Sequence, residues 1–272
     1  MKRIIHNILA LIFILIFAFS AWQLWRTCSK YKEGKDNYDM LEQYALYAES
    51  KDTYINAMLP TTSSIEDCTA ATELPDISAW PLVNFAQLSK INPDIVGWII
   101  IDGTNINYPV VQGTDNDYYL KHLFDGTAND SGCIFLDYRC SPDFSDRHSI
   151  IYGHHMNNKT MFSGLMNYKK QVFYDQHSVA LLVTPTAYYK IQFFSGYVSD
   201  NWSNAWDLYL DDSDYSVWLN EILEKSCFDT SCVPTLNDNI ITLSTCTNEF
   251  SNAKFLLHGY ISERIEKGSL GE

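Results

Sequence analysis

A chain of 272 residues that is 46% hydrophobic can bury one sizeable core and still leave sequence for an anchor or stalk. The net charge is −14, and because residues 1–35 carry +5, residues 36–272 carry −19. A region that acidic is a poor candidate for binding nucleic acid or anionic lipid surfaces, since both are polyanions.

From Ile4 to Trp25 there are 22 residues without Lys, Arg, Asp or Glu, long enough to cross a bilayer as a helix. Ala18-Phe19-Ser20 before Ala21 is a passable signal-peptidase site. The apolar run nevertheless continues through Trp22, Leu24 and Trp25, with the tryptophans placed like an interfacial belt, so an uncleaved signal anchor is the preferred reading. Lys2 and Arg3 precede the span while Arg26, Lys30, Lys32 and Lys35 follow it, so basic residues leave the orientation open.

Residues 36–58 have helical spacing, with Tyr38, Leu41, Tyr44, Ala45 and Ala48 on one stripe; this predicts a stalk helix, free or packed on the domain. Residues 60–76, rich in Ser, Thr and Pro, read as a linker. Short β-rich runs follow from about residue 78. Strands are expected at 97–101, 106–111, 133–136, 149–152, 180–184, 187–197, 240–245 and 255–261. Helical patterns are fewer, at 115–122, 161–168 and 215–227, the last with Trp218, Ile222 and Leu223 as its apolar stripe. Eight strands with helices only as inserts predict a mainly β fold, a closed barrel packed inside with side chains.

The seven cysteines are Cys28, Cys68, Cys133, Cys140, Cys227, Cys232 and Cys246, and an odd number outside a membrane implies a free thiol or an intermolecular bridge. Cys227 and Cys232 form a C-x4-C pair without a matching second pair, which argues against zinc and leaves a disulfide between them as the other reading. No carboxylate set has the spacing of a calcium loop, so no metal or cofactor is expected.

Two segments carry residues suited to chemistry. Residues 150–156 (IIYGHHM) form a strand running into a Gly-His turn, and residues 240–246 (IITLSTC) a strand ending in Cys246. On that second strand Ile240, Thr242, Ser244 and Cys246 share one face. A thiol at a strand end beside a loop is well placed to meet substrate on the barrel's outer wall, although most lone cysteines are inert core residues.

Here the sequence resembles the class B sortases. TLSTC at 242–246 looks like the family's cysteine signature and IIYGHHM at 150–156 like its histidine segment. Residues 98–120 (WIIIDGTNINYPVVQGTDNDYYL) and 132–139 (GCIFLDYR) extend the likeness over roughly residues 78–262. The resemblance implies a sortase-type β-barrel behind a single-pass membrane helix, with the catalytic domain extracellular on a Gram-positive cell. Residues 1–35 would be the anchor, 36–77 a helical stalk and linker, and 78–272 the catalytic domain. It implies a cysteine transpeptidase that cuts a C-terminal sorting signal (NPxTG- or NPQTN-like) between Thr and Gly and joins the new end to a peptidoglycan or pilin amine.

In that reading Cys246 is the nucleophile and holds the acyl group as a thioester until an amine arrives. A free thiol with a pKa of about 8.5 is mostly protonated at neutral pH, so its surroundings must favour the thiolate. His154, directly after Gly153, is the general acid and base, and His155 is the bystander. Thr242, Ser244 and Thr245 are expected substrate contacts. The family's third catalytic residue is an arginine on the following strand, and that position here is Lys254. Lysine keeps the charge but lacks the forked donors of guanidinium. A catalytically weakened scaffold that binds sorting peptides or pilus components is therefore the alternative reading, with Arg139, Arg147 and Arg264 as the remaining arginines to place.

Overall fold

The computed structural model describes residues 2–46, 80–200 and 204–267. Helix α1 (Lys2–Leu41) is one unbroken helix, about 60 Å long at 1.5 Å per residue. Its apolar portion packs on none of the other described residues: Phe13, Phe17, Leu24 and Trp25 are all exposed. The helix is long and apolar enough to cross a bilayer.

The other end of α1 docks on the domain, where Tyr38 and Leu41 join the main core. The helical stripe expected as far as Ala48 is shorter in the structure. The α-helix stops at Leu41, Glu42–Tyr44 tighten into a 3₁₀ turn, and Ala45–Leu46 become strand β1. Strand β1 pairs antiparallel with β2 (Leu82–Val83), and the Tyr44 carbonyl accepts the Asn84 amide. Backbone partners supplied by the domain override the local helical pattern. Ala48 and the 60–76 linker lie outside the described residues.

Helix α2 (Phe85–Ile91), capped by the Asn84 side chain on Gln87 N, leads into the barrel. The barrel strands are β3 (Ile95–Ile101), β4 (Ile106–Val111), β5 (Ile134–Leu136), β6 (His148–Tyr152), β7 (Val179–Val183), β8 (Ala187–Ser199), β9 (Ile240–Cys246) and β10 (Lys254–Glu266). They close in the order β10-β8-β7-β3-β4-β5-β6-β9, with β4–β5 and β6–β9 parallel and the other pairs antiparallel. All eight expected strands are present. Between them, the helices expected at 115–122 and 161–168 are 3₁₀ segments, Tyr118–Leu120 and Phe162–Lys169. Helix α3 (Gln171–Gln176) follows the second of these.

Alternation along the strands divides the core in two. Ile241 and Leu243 of β9 and Phe255 and Leu257 of β10 point into the barrel with Ile99 and Val110. Ile240 and Leu256 point outward into a second cluster beneath α4 (Asp212–Glu224), where Tyr215, Trp218, Leu219 and Ile222 form its inner face. Helix α4 starts three residues earlier than its apolar stripe suggested, because the Asp211 carboxylate caps Ser213 N and Asp214 N.

Candidate active site

Parallel pairing of β6 with β9 runs both strands out at the same end of the barrel. Tyr152 lies opposite Ser244, and Gly153 N donates to the Ser244 carbonyl at 3.1 Å. The next residue, His154, is thereby delivered to the end of β9 where Cys246 sits. Gly153 has no room for a side chain, since a Cβ there would stand 2.5 Å from Ile134 and 2.7 Å from Phe162.

Antiparallel pairing of β9 with β10 places Lys254 directly opposite Cys246, so both side chains leave the same face. Cys246 is exposed and free, and Lys254 Nζ donates to its Sγ at 2.9 Å. The ammonium is thus in direct hydrogen-bonding contact with the sulfur. The connecting turn is closed by Thr247 N to Ala253 O at 3.0 Å, with Asn252 in the left-handed region.

His154 is half-buried, and its Nε2 lies 2.7 Å from the Leu120 carbonyl. A carbonyl only accepts, so Nε2 carries the proton and Nδ1 is left as the ring's basic position. Cys246, Lys254 and His154 all line one cleft of about 310 Å³. Its walls include Ser244 and Thr245 of β9, together with Asn116, Leu120, Tyr152 and Trp206. His155 pairs instead with Met161 through a backbone bridge.

Thr242 stands apart from this cleft. It shares the face of Cys246, but α4 covers that face, and Thr242 is fully buried between two histidines. His148 Nδ1 lies 2.9 Å from the Asp207 carbonyl and must donate to it. His148 Nε2 therefore accepts from Thr242 Oγ1 at 2.7 Å, and Thr242 in turn accepts from His258 Nδ1 at 2.8 Å. This chain requires the His148 ring to be neutral. Burial lowers His148 to about 4 and His258 well below its ordinary value.

A histidine kept neutral in the fold protonates first in the unfolded chain, so it withdraws stability as pH falls from about 6.5 to the folded value. For His148 that loss is about 3 kcal/mol between pH 7 and 4. Urea midpoints at pH 7 and 4.5 should differ less in His148→Gln than in the parent, because the acid-induced fall is reduced. An identical pH dependence in the two proteins would contradict the neutral-histidine chain.

The arginines are engaged elsewhere. Arg139 Nε and Nη2 both bind the buried Asp137 carboxylate at 2.9 Å, Arg147 binds Asp212 and the Leu236 carbonyl, and Arg264 binds Glu266. Asp137 does not reach His154; it also accepts from Asn116 Nδ2 at 2.9 Å and Tyr152 OH at 3.0 Å, both cleft residues. Burial opposes ionisation of Asp137, but these donors outweigh it and hold the carboxyl below the usual carboxylate range. Asp137 thus braces one wall of the cleft. Cys227 is free and Cys232 is disulfide-bonded, so the C-x4-C pair is not bridged to itself. Cys227 Sγ lies instead 3.6 Å from the Tyr168 carbonyl.

Asn116, Tyr152 and Trp206 were not singled out by sequence reasoning. Asn116 and Tyr152 lie within the segments that carry the resemblance, whereas Trp206 ends the 3₁₀ turn Asn204–Trp206, its only signal being a tryptophan in a polar stretch.

A closed mixed barrel presenting a thiol, an imidazole and an ammonium in one cleft defines a cysteine-dependent acyl-transfer enzyme. The Sortase domain family matches residues 99–261. Sortase B of Staphylococcus aureus is 39% identical over 170 residues, which cover 61% of this chain and 69% of that protein. Sortase B of Listeria monocytogenes is 28% identical over 266 residues, covering 95% and 97% of the two chains. The Staphylococcus aureus sortase B–substrate complex superposes with a TM-score of 0.62 at 35% identity, over 67% of this chain and 85% of that one. The chain belongs to the sortase family, in its class B branch of cysteine transpeptidases.

Proposed function

We propose that this transpeptidase cleaves a C-terminal sorting signal between Thr and Gly and transfers the protein to a cell-wall amine, with Cys246, His154 and Lys254 as its catalytic residues. The observation that carries the reading is the 2.9 Å contact of Lys254 Nζ with Cys246 Sγ in a cleft shared with His154. The substrate complex known for the Staphylococcus aureus relative supports a peptide as the occupant.

The steps follow from the donors and acceptors present. Cys246 Sγ attacks the threonine carbonyl as its thiol proton passes to His154 Nδ1, and the developing oxyanion is balanced by the Lys254 ammonium. As the C–N bond breaks, protonated His154 gives its Nδ1 proton to the departing amine while Nε2 stays on the Leu120 carbonyl. The thioester then waits. An incoming amine loses a proton to Nδ1, attacks the thioester carbon and releases the Cys246 thiolate. Ser244 and Thr245 lie where they can meet the peptide; Thr242 is assigned a structural role.

The exposed apolar portion of α1 supports a single-pass anchor, and membership of the sortase family supports a barrel outside the cell. The test of the function is intact-mass analysis of the full chain with NPxTG- and NPQTN-like peptides. The expected result is an acyl adduct on Cys246 that is discharged by a glycine-based amine. Peptide binding with no adduct across the panel would favour the scaffold reading.

A further inference from the structure

Residues 30–41 of α1 do more than tether the barrel. Asn129 Nδ2 donates to the Lys30 carbonyl at 3.0 Å and to Glu33 Oε2 at 3.1 Å, and Asn37 donates to Asp125 at 2.8 Å. The next residue, Tyr38, is 6% exposed and its hydroxyl donates to the Gly132 carbonyl at 2.5 Å. Gly132 has φ +59, and a Cβ there would stand 2.5 Å from the Tyr119 carbonyl, 3.0 Å from the Leu120 carbonyl and 3.1 Å from His154 Cδ2. This bare glycine is thus the spacer between the His154 ring and the carbonyl that accepts the His154 proton.

The other side of the histidine loop is reached by the same aromatic pair. Tyr38 packs edge-on against Tyr108 with ring centroids 5.2 Å apart, and the Tyr108 hydroxyl accepts from Met161 N at 3.2 Å. The adjacent Phe162 N donates to the His154 carbonyl at 2.9 Å. Tyr38 therefore grips the ring side of His154 through Gly132 and its backbone side through Tyr108.

We propose that Tyr38, on the membrane-proximal end of α1, is a positioning residue for His154, acting through Gly132 and Tyr108, so that docking of the anchor helix completes the active site. Without the hydroxyl, the Gly132 carbonyl loses its buried donor and the left-handed turn relaxes toward the ring it spaces. Imidazole orientation then becomes heterogeneous while the peptide cleft is unchanged. The loss falls on the chemical step, not on binding.

This inference rests on His154 being the acid and base, and the experiment separates the two. Full chain in detergent micelles is assayed with a sorting peptide as parent, Tyr38→Phe and His154→Ala, alongside thermal unfolding and the ring Cε1–H NMR signal of His154. Tyr38→Phe keeps the ring packing; it should lower kcat about tenfold with KM changed less than about twofold, and broaden or split the His154 signal. His154→Ala should be inactive. If His154→Ala is inactive and Tyr38→Phe merely lowers the melting temperature, with kcat and the His154 signal at parental values, Tyr38 is a packing residue and the inference falls. Parental kcat in His154→Ala would overturn the acid–base assignment, and this inference with it.

Discussion

Cys246→Ala should reduce peptide cleavage and transfer by at least about 10³-fold and eliminate the acyl adduct, while leaving the barrel folded. Nothing else described can take over the attack. Cys133 and Cys140 are buried in the core, and burial pushes their thiols up to about 12 and about 11. Burial also raises the Cys227 thiol, and Cys28 lies on α1. Since Cys246 is exposed, its truncation should change stability by no more than about 0.5 kcal/mol. Intact mass and thermal unfolding on the same sample make the check. Turnover at the parental rate in the alanine variant would place the nucleophile elsewhere.

Lys254→Met should lower the rate of acyl-enzyme formation by about 10²–10³-fold, the usual consequence of losing one charge-stabilising donor at an oxyanion. Methionine keeps the stem's reach and removes the ammonium that contacts Sγ at 2.9 Å. Lys254→Arg separates charge from shape. Lysine already bridges to the sulfur from the directly opposed register position, so the bulkier planar guanidinium must find a new geometry. Arginine should accordingly retain more activity than methionine and less than the parent, measured as single-turnover rates on one peptide. A rate above the parent would mean that lysine is a diminished substitute for the family's arginine, and that the scaffold reading gains ground.

The strands were legible because each is a short run of β-branched and aromatic residues bounded by turn residues, and all eight expected runs are barrel strands. Helices were less so. The 161–168 pattern is a 3₁₀ segment, and the stripe expected as far as Ala48 gives way to a strand at Ala45, because helical spacing does not record which backbone partners the domain will supply. Period-two alternation correctly grouped Thr242 with Ser244 and Cys246, yet it carries no information on what covers each point along the face. Helix α4 closes over Thr242 and stops short of Cys246, so one becomes core and the other cleft.

By itself, the sequence determined the barrel, the apolar span, the candidate thiol and the histidine after Gly153. Each of these is a local matter of side-chain type and spacing. Tertiary structure alone decided that Lys254 touches Cys246, that Arg139 is spent on Asp137, and that Tyr38 reaches the loop of His154. Those three contacts join residues through strand register and helix docking, which arise from the summed packing of the whole domain and not from any stretch of chain.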